Sequence, residues 1–513
     1  MVLLKNSRAC EFGDFQTPDD LARRSLQVIK RLTINPKSIL EPTCGRGSFL
    51  LGAIEAFPTA QQYVGVDFNK THLEALQQRL VADGRDLPIQ TLHADFFQMD
   101  WSKILSQLPE PILVIGNPPW VTNARLGGLQ SSNLPKKSNF QSLNGLDALT
   151  GKSNFDISEW MLLQHLEWFK QRTGTMAMLC KASVARKVLV YAWKHGYPTQ
   201  SAQIHKFDAM HYFRAAVDAC LFVVEFEQHS FSKDCLVYDD LSDAQASHTI
   251  GYRNGVMIAN IAAYDRWQHL HGSDENYTWR SGIKHDCAKV MELERINDGY
   301  RNGNGITIAL EDIYIYPLFK SSDISNNRIV TCRKYLLVTQ HIVGEDTGHI
   351  EYDAPITWRY LQDNADALAK RGSSIYQNRP PFSIFGVGDY TFTPWKVAIS
   401  GFYKKVVFTA ICSVDDRPAV FDDTVYFLSC WSEDEAVFLT EILNSSIAVE
   451  FLSSMIFWSD KRPITIDLLK RLNIAALARE LGRENEYIAY IQQIPEKLTK
   501  TSQRRRVKVS TSC

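Results

Sequence analysis

Gly116-Asn117-Pro118-Pro119-Trp120 is the stretch best suited to hold a planar amine. Two successive prolines stiffen the backbone and remove two N–H donors. What remains is the Asn117 amide oxygen and a main-chain carbonyl, that of Pro118. Two acceptors aimed outward from a strand end suit one NH2 group. Trp120 adds a flat face against which a base can stack. The plain structural alternative is a proline turn beside a core tryptophan.

Three further constellations read as a ligand site. Glu41-Pro42-Thr43-Cys44-Gly45-Arg46-Gly47-Ser48-Phe49 lies between a short strand and a helix. Glycines there allow a tight turn and close approach of backbone to a ligand. The stretch lacks both G-x-G-x-x-G and G-K-[ST], which counts against a dinucleotide or ATP phosphate site. Asp67 ends the next strand, about 20 residues past the turn, where an acid can accept from ribose hydroxyls; Phe68 follows it. Asp95-Phe96 ends the third strand, where a carboxylate can accept an adenine amino group and a ring can lie beside it. A helix N-cap is the alternative for Asp95.

These residues need a frame that brings strand ends together. Thr17-Pro18-Asp19-Asp20 reads as an N-cap, Pro at the first helical position and acids in the first turn, with a helix to about Leu32. Strands are expected at 38–40, 62–67, 88–93 and 111–116, the last apolar enough to be buried on both faces. Helices are expected from about 48, over 71–82, 157–171 and 184–194, with a strand at 175–180 and closing strands near 200–207 and 217–227. Alternating strands and helices predict an α/β fold: a doubly wound, mostly parallel sheet with helices on both faces. Residues 121–153, rich in Gly, Ser, Asn and Lys, form a long aperiodic connection.

The order Phe15-Gln16-Thr17-Pro18, then Glu41 to Phe49, Asp67, Asp95-Phe96 and Asn117-Pro118-Pro119-Trp120 resembles the S-adenosylmethionine-dependent amino-DNA methyltransferases. With the target-recognition region last, it is similar to their γ class, the TaqI-type adenine methyltransferases. The resemblance covers about residues 12–230 in specific motifs and 280–475 in general texture. It implies a class I methyltransferase fold with a seven-stranded sheet over 1–230, a mixed α+β target-recognition domain over 231–480, and a C-terminal helix and basic, disordered tail over 481–513. It implies S-adenosyl-L-methionine held by Thr17, Glu41, Pro42, Thr43, Cys44, Gly45, Gly47, Asp67, Phe68, Asp95 and Phe96. It implies catalysis by Asn117, Pro118, Pro119 and Trp120, with Phe213 against the extruded base and Tyr212 as its rival. Tyr is commoner than Trp at position 120 in this class, which leaves room for a cytosine target. The same chemistry on RNA or a protein amide, and a non-catalytic DNA-binding relative, are the other readings. The partners implied are double-stranded DNA and a cognate restriction endonuclease or defence-system subunits, with a monomer favoured.

After about residue 230 short strands, Gly-Asn and Asp-Gly turns, and mixed basic and aromatic residues take over. Arg280, Lys284, Lys404 and Lys405 are the candidates there for DNA contacts, and Phe385-Gly386-Val387-Gly388-Asp389-Tyr390 reads as a turn bringing backbone close to something. The 513 residues exceed one ordinary domain. With 56 Lys plus Arg against 57 Asp plus Glu, the chain is no wholesale polycation, which does not exclude a local basic groove. No apolar run reaches the ~18–20 residues of a membrane span, and the start lacks a signal-peptide pattern. The ten cysteines include no C-x-x-C pair, which reads as reduced, cytoplasmic cysteine and argues against a zinc site.

Overall fold

In the computed structural model, residues 16–83, 88–120, 156–329 and 331–493 are described. The connection expected over 121–153, Phe15 and the basic tail lie outside them. The chain divides into two compact units, Met1–Ile261 and Ala262–Cys513.

The first unit is built on one ten-stranded sheet. Its strands are β1 (Ser38–Glu41), β2 (Gln62–Asp67), β3 (Ile89–His93), β4 (Ile112–Gly116), β5 (Gly174–Lys181), β6 (Thr199–Phe207), β7 (Ala219–Phe226), β8 (Asp234–Tyr238), β9 (His248–Arg253) and β10 (Val256–Ile258). Their order across the sheet is β10-β9-β8-β6-β7-β5-β4-β1-β2-β3. β3, β2, β1, β4 and β5 run parallel, whereas β7 is antiparallel to both β5 and β6. These seven strands have the mostly parallel order, with one antiparallel strand inserted, that the resemblance implies. The expected boundary at 230 falls too early, because β8 pairs parallel to β6 and carries β9 and β10 into the same sheet. The short 234–258 strands carry too little periodicity to be assigned to a sheet from sequence.

Local chemistry explains the frame. Every residue of β4 is buried, as its apolar run requires. Helix α1 (Asp19–Arg31) buries Leu21, Leu26, Val28 and Ile29 against α2 (Ser48–Ala56), and keeps its acids in the first turn and bases in the last. α3 (Lys70–Asp83) joins β2 to β3, and α4 (Trp101–Leu105), not foreseen, leads into β4. α5 (Ile157–Trp168) and α6 (Ala182–Lys194) flank β5, and α7 (Ala209–Phe213) separates β6 from β7. The chain order turns back between β1 and β4, so their carboxyl ends open the crevice where sheets of this kind take ligands.

The second unit holds a six-stranded sheet spanning residues 292–421 and a four-stranded sheet built from β-strands between 280 and 430, both mostly antiparallel. Helices Glu433–Leu443, Ser446–Ser453, Ile474–Glu480 and Glu484–Ile491 follow. This is the mixed α+β composition expected. Gly386, at φ 74°, does bring backbone close to something: a Cβ there would sit 2.4 Å from the Gly282 carbonyl oxygen. Its neighbour is therefore this unit's own chain. No single described helix is long and apolar enough to cross a membrane.

Candidate active site

The parallel register sets Glu41 opposite Gly65 and Leu40 opposite Val114, so the carboxyl ends of β1, β2 and β4 lie side by side. From β1 the chain turns through Cys44, Gly45 and Gly47. Both glycines have left-handed backbones, φ 51° and 83°, and the turn folds back as the Cys44 N–H donates to the Val66 carbonyl at 2.8 Å. A Cβ on Gly47 would stand 2.3 Å from Leu76 Cδ1, so the residue is required by packing as well as by conformation.

Two carboxylates face this turn. Asp67 is buried, and accepts the Gly45 N–H on Oδ2 and the Asn69 N–H on Oδ1, each at 2.8 Å. His72 Nδ1 lies 3.7 Å from Oδ1. Glu41 is buried and accepts the Leu50 N–H at 2.9 Å. Burial pushes its carboxyl well above the usual range; the Leu50 N–H opposes that and the charge of Asp67 adds to it. Burial, then Glu41 and Asp67, pushes the Cys44 thiol up as well, so Cys44 is a packing residue and no nucleophile. The turn fits the cofactor that the resemblance implies on its own chemistry: backbone-oriented acids at β1 and β2, and left-handed glycines between them.

Thr17 does not cap α1. The helix starts at Asp19 with Pro18 as its cap residue. The Thr17 hydroxyl instead accepts from Asn117 Nδ2 at 3.3 Å, which links the α1 entrance to the strand-end amide. Gln16, which has no place among the expected site residues, accepts the Arg46 N–H at 3.0 Å and packs beneath Gly45. It neighbours Thr17-Pro18, and that adjacency was its available signal. Thr43 and Glu41 line the approach to Gly116, at 3.9 and 3.6 Å from where its Cβ would be.

Trp120 and Phe213 meet. Their ring centroids are 5.2 Å apart at 71°, and the Trp120 ring N–H donates to the Leu179 carbonyl at 3.1 Å. The rival Tyr212 is engaged elsewhere, its hydroxyl taking a 2.8 Å bond from Arg24, which also pairs with Asp240 at 2.8 Å. Asp95 accepts from the Phe97 N–H at 2.9 Å and from Gln98 Nε2 at 2.8 Å, at the head of a turn and not of a helix, so the helix N-cap that was its alternative is not formed. Phe68 is 48% exposed at the end of β2, where it can cover a ligand.

Phe96 departs from expectation. Its ring is buried among Trp101, Trp160, His165 and Trp168, with centroids 5.1–6.1 Å away. The ring is part of an aromatic cluster that the sequence reading did not foresee. Within that cluster His165 is fully buried, and neither ring nitrogen has a hydrogen-bond partner among the described residues. Burial lowers its pKa from 6.5 to about 3. The folded chain thus refuses a proton that the unfolded chain accepts, so stability is lost as pH falls from about 6.5 towards 3. Replacing His165 by Phe should flatten urea-derived stability against pH in that window by up to ~1.4 kcal/mol per unit. An unaltered slope would mean the ring is protonated in the fold.

Of the recognition candidates, Arg280 lies 4.4 Å over the Tyr390 ring and Lys284 pairs with Asp286 at 3.2 Å. Both are built into the second unit. Lys404 and Lys405 are exposed. Among the described residues no group of three or more His, Cys, Asp and Glu gathers as a metal site would.

A family model described as N-6 DNA Methylase matches residues 2–187. The Type II methyltransferase M.NspV of Nostoc sp. (strain ATCC 29411 / PCC 7524) is 45% identical over 469 residues, covering 91% of this chain and 97% of that protein. Ribosomal RNA small subunit methyltransferase A of Mycoplasmoides gallisepticum is 30% identical over 93 residues, 18% of this chain and 32% of that one. Among solved structures, the Type IIL restriction-modification enzyme MmeI in complex with DNA matches at 13% identity and TM-score 0.48, over 96% of this chain and 77% of that chain.

Proposed function

The chain belongs to the N-6 DNA methylase family of type II methyltransferases, and from that premise we propose that it methylates the 6-amino group of an adenine extruded from duplex DNA at a specific sequence. The observation that supports this reading is that Glu41 and Thr43 of the glycine turn lie against Gly116, the residue before Asn117, while Trp120, three residues past Asn117, meets Phe213. S-adenosylmethionine supplies, when bound, a methyl group already activated on sulfonium. Asp67 would hold its ribose hydroxyls, Asp95 its adenine amine, and Glu41, Pro42, Thr43, Cys44, Gly45 and Gly47 would line the turn around it, with Thr17 and Phe68 at the rim.

An amine inside a duplex is out of reach of such a site, so the base must rotate out at a cost of a few kcal/mol. The Asn117 oxygen and the Pro118 carbonyl would then accept its two N–H groups. That draws the nitrogen lone pair out of conjugation and makes it nucleophilic. Preorganised acceptors stabilise the positive charge that develops on nitrogen. Trp120 would hold the ring plane, with Phe213 at its edge. Sequencing of modified bases in DNA from cells expressing the protein tests the reading: methylated adenines should fall in one recurrent sequence. Scattered or absent adenine methylation would refute it. A restriction endonuclease of the same specificity is the partner such an enzyme would protect DNA against.

The second unit is proposed to read the sequence. Phe402 and Tyr403 are 37% and 39% exposed beside Lys404 and Lys405, and the Arg462 guanidinium lies 4.8 Å over the Phe402 ring. Exposed basic residues interleaved with aromatics suit phosphate and base contacts. Lys404→Ala with Lys405→Ala should lower the slope of log affinity against log salt by about 0.9 for each phosphate left without its lysine, ~1.8 for both. Band shifts across salt concentrations measure it, and an unchanged slope would take these lysines out of the interface.

A further inference from the structure

Two polar contacts reach Trp120 from one strand, β5. The ring N–H is bonded to Leu179 on β5. Two residues on, and so on the same face of that strand, Lys181 places its ammonium 3.5 Å from the main-chain carbonyl of Trp120. The ammonium is itself fixed, 2.6 Å from Asp156 Oδ2, in a pair whose side chains are 22% and 9% exposed. The other Asp156 oxygen caps α5, accepting the Ser158 N–H at 3.1 Å and the Ser158 hydroxyl at 2.6 Å. Asp156 is thereby held at both of its oxygens and orients the lysine from a fixed position on the α5 cap.

Joining α5 to α6 does not depend on this pair. Lys187 on α6 already meets Glu159 on α5 at 2.8 Å. What Lys181 alone reaches is the Trp120 backbone. Trp120 is thus fixed at its ring N–H by Leu179 and at its main-chain carbonyl by Lys181, with Phe213 at an edge-to-face angle to its ring. Tyrosine at position 120 would have no indole N–H for the Leu179 carbonyl, so this arrangement is particular to tryptophan.

We infer that Lys181, oriented by Asp156, is a positioning residue that sets the plane and height of the Trp120 ring. The inference rests on Trp120 being the platform for the target base. A base held about an ångström out of place can cost ~10²-fold in rate while the groups that bind it remain.

The test is single-turnover transfer of tritiated methyl to unmodified DNA by the full chain, as native protein, Lys181→Met, Asp156→Asn and Lys181→Arg, with cofactor affinity measured by calorimetry. Lys181→Met and Asp156→Asn should each lose about 10- to 100-fold in rate. Their cofactor dissociation constants should stay within about twofold of native, and Lys181→Arg should recover part of the rate. The double variant should be no worse than the poorer single one, as expected of two groups acting as a unit. Native-like rates in both single variants would overturn the inference. So would a fall in cofactor affinity as large as the fall in rate, which would assign the pair to the stability of the fold. Failure of the native protein to methylate DNA would instead strike the proposed function itself.

Discussion

Asn117→Ala is expected to abolish methyl transfer while cofactor binding and DNA binding largely persist. The side chain sits at the end of β4, a strand buried on every residue, so its removal leaves the frame intact. In the proposed mechanism what goes is an acceptor whose value rises as positive charge grows on the target nitrogen, an interaction stronger in the transition state than in the ground state. Removing one preorganised polar group of this kind costs about 10²–10³-fold in rate. Here the loss should be at the upper end, because with two prolines following there is no main-chain N–H to reorganise the turn. The readout is a collapse of kcat with little change in DNA affinity. Thr17→Val would be a milder relative, since it removes the hydroxyl that accepts from Asn117 Nδ2 but leaves the amide in place.

Asp67→Ala should weaken S-adenosylmethionine binding by one to two orders of magnitude. A hydrogen bond to a charged group is worth about 1.5–3 kcal/mol, and each 1.4 kcal/mol is about tenfold in affinity. The same change also releases the Gly45 and Asn69 N–H groups that the carboxylate holds, so the turn loses its anchor as well as its acceptor. Asp67→Asn separates the two effects. It keeps an oxygen for one of those N–H groups and should fall between native and Ala. A dissociation constant unchanged in folded Asp67→Ala would remove Asp67 from the cofactor site.

Much of the catalytic unit could be read from local patterns because strand-end chemistry is local. The buried run ending at Gly116 places Asn117 without any knowledge of partners, and Asp67 follows from one strand and one turn. Long-range choices were not legible. Phe96 and Phe97 are adjacent aromatics, and only the arrival of Trp160, His165 and Trp168 from α5 decides that Phe96 is buried. Thr17 reads as a helix cap until Asn117, 100 positions away, provides a better partner. That the Tyr212 hydroxyl goes to Arg24 while Phe213 meets Trp120 is likewise a tertiary fact, invisible in two adjacent aromatic residues. The extension of the sheet through β8–β10 was missed for the same reason, since pairing with β6 is a tertiary fact. In the second unit, basic and aromatic residues were visible in the sequence. Which of them face outward was not, and burial separates Lys404 and Lys405 from Arg280 and Lys284.

The measurement that bears most directly on the assigned chemistry is nucleoside analysis of DNA after transfer of tritiated methyl from S-adenosylmethionine by the purified protein, with Asn117→Ala in parallel. Radioactivity is expected in 6-methyladenine with the native protein and none above background with the variant. Label in 4-methylcytosine would contradict the adenine assignment, and label in 6-methyladenine at native levels from Asn117→Ala would contradict the chemistry assigned to the strand-end amide.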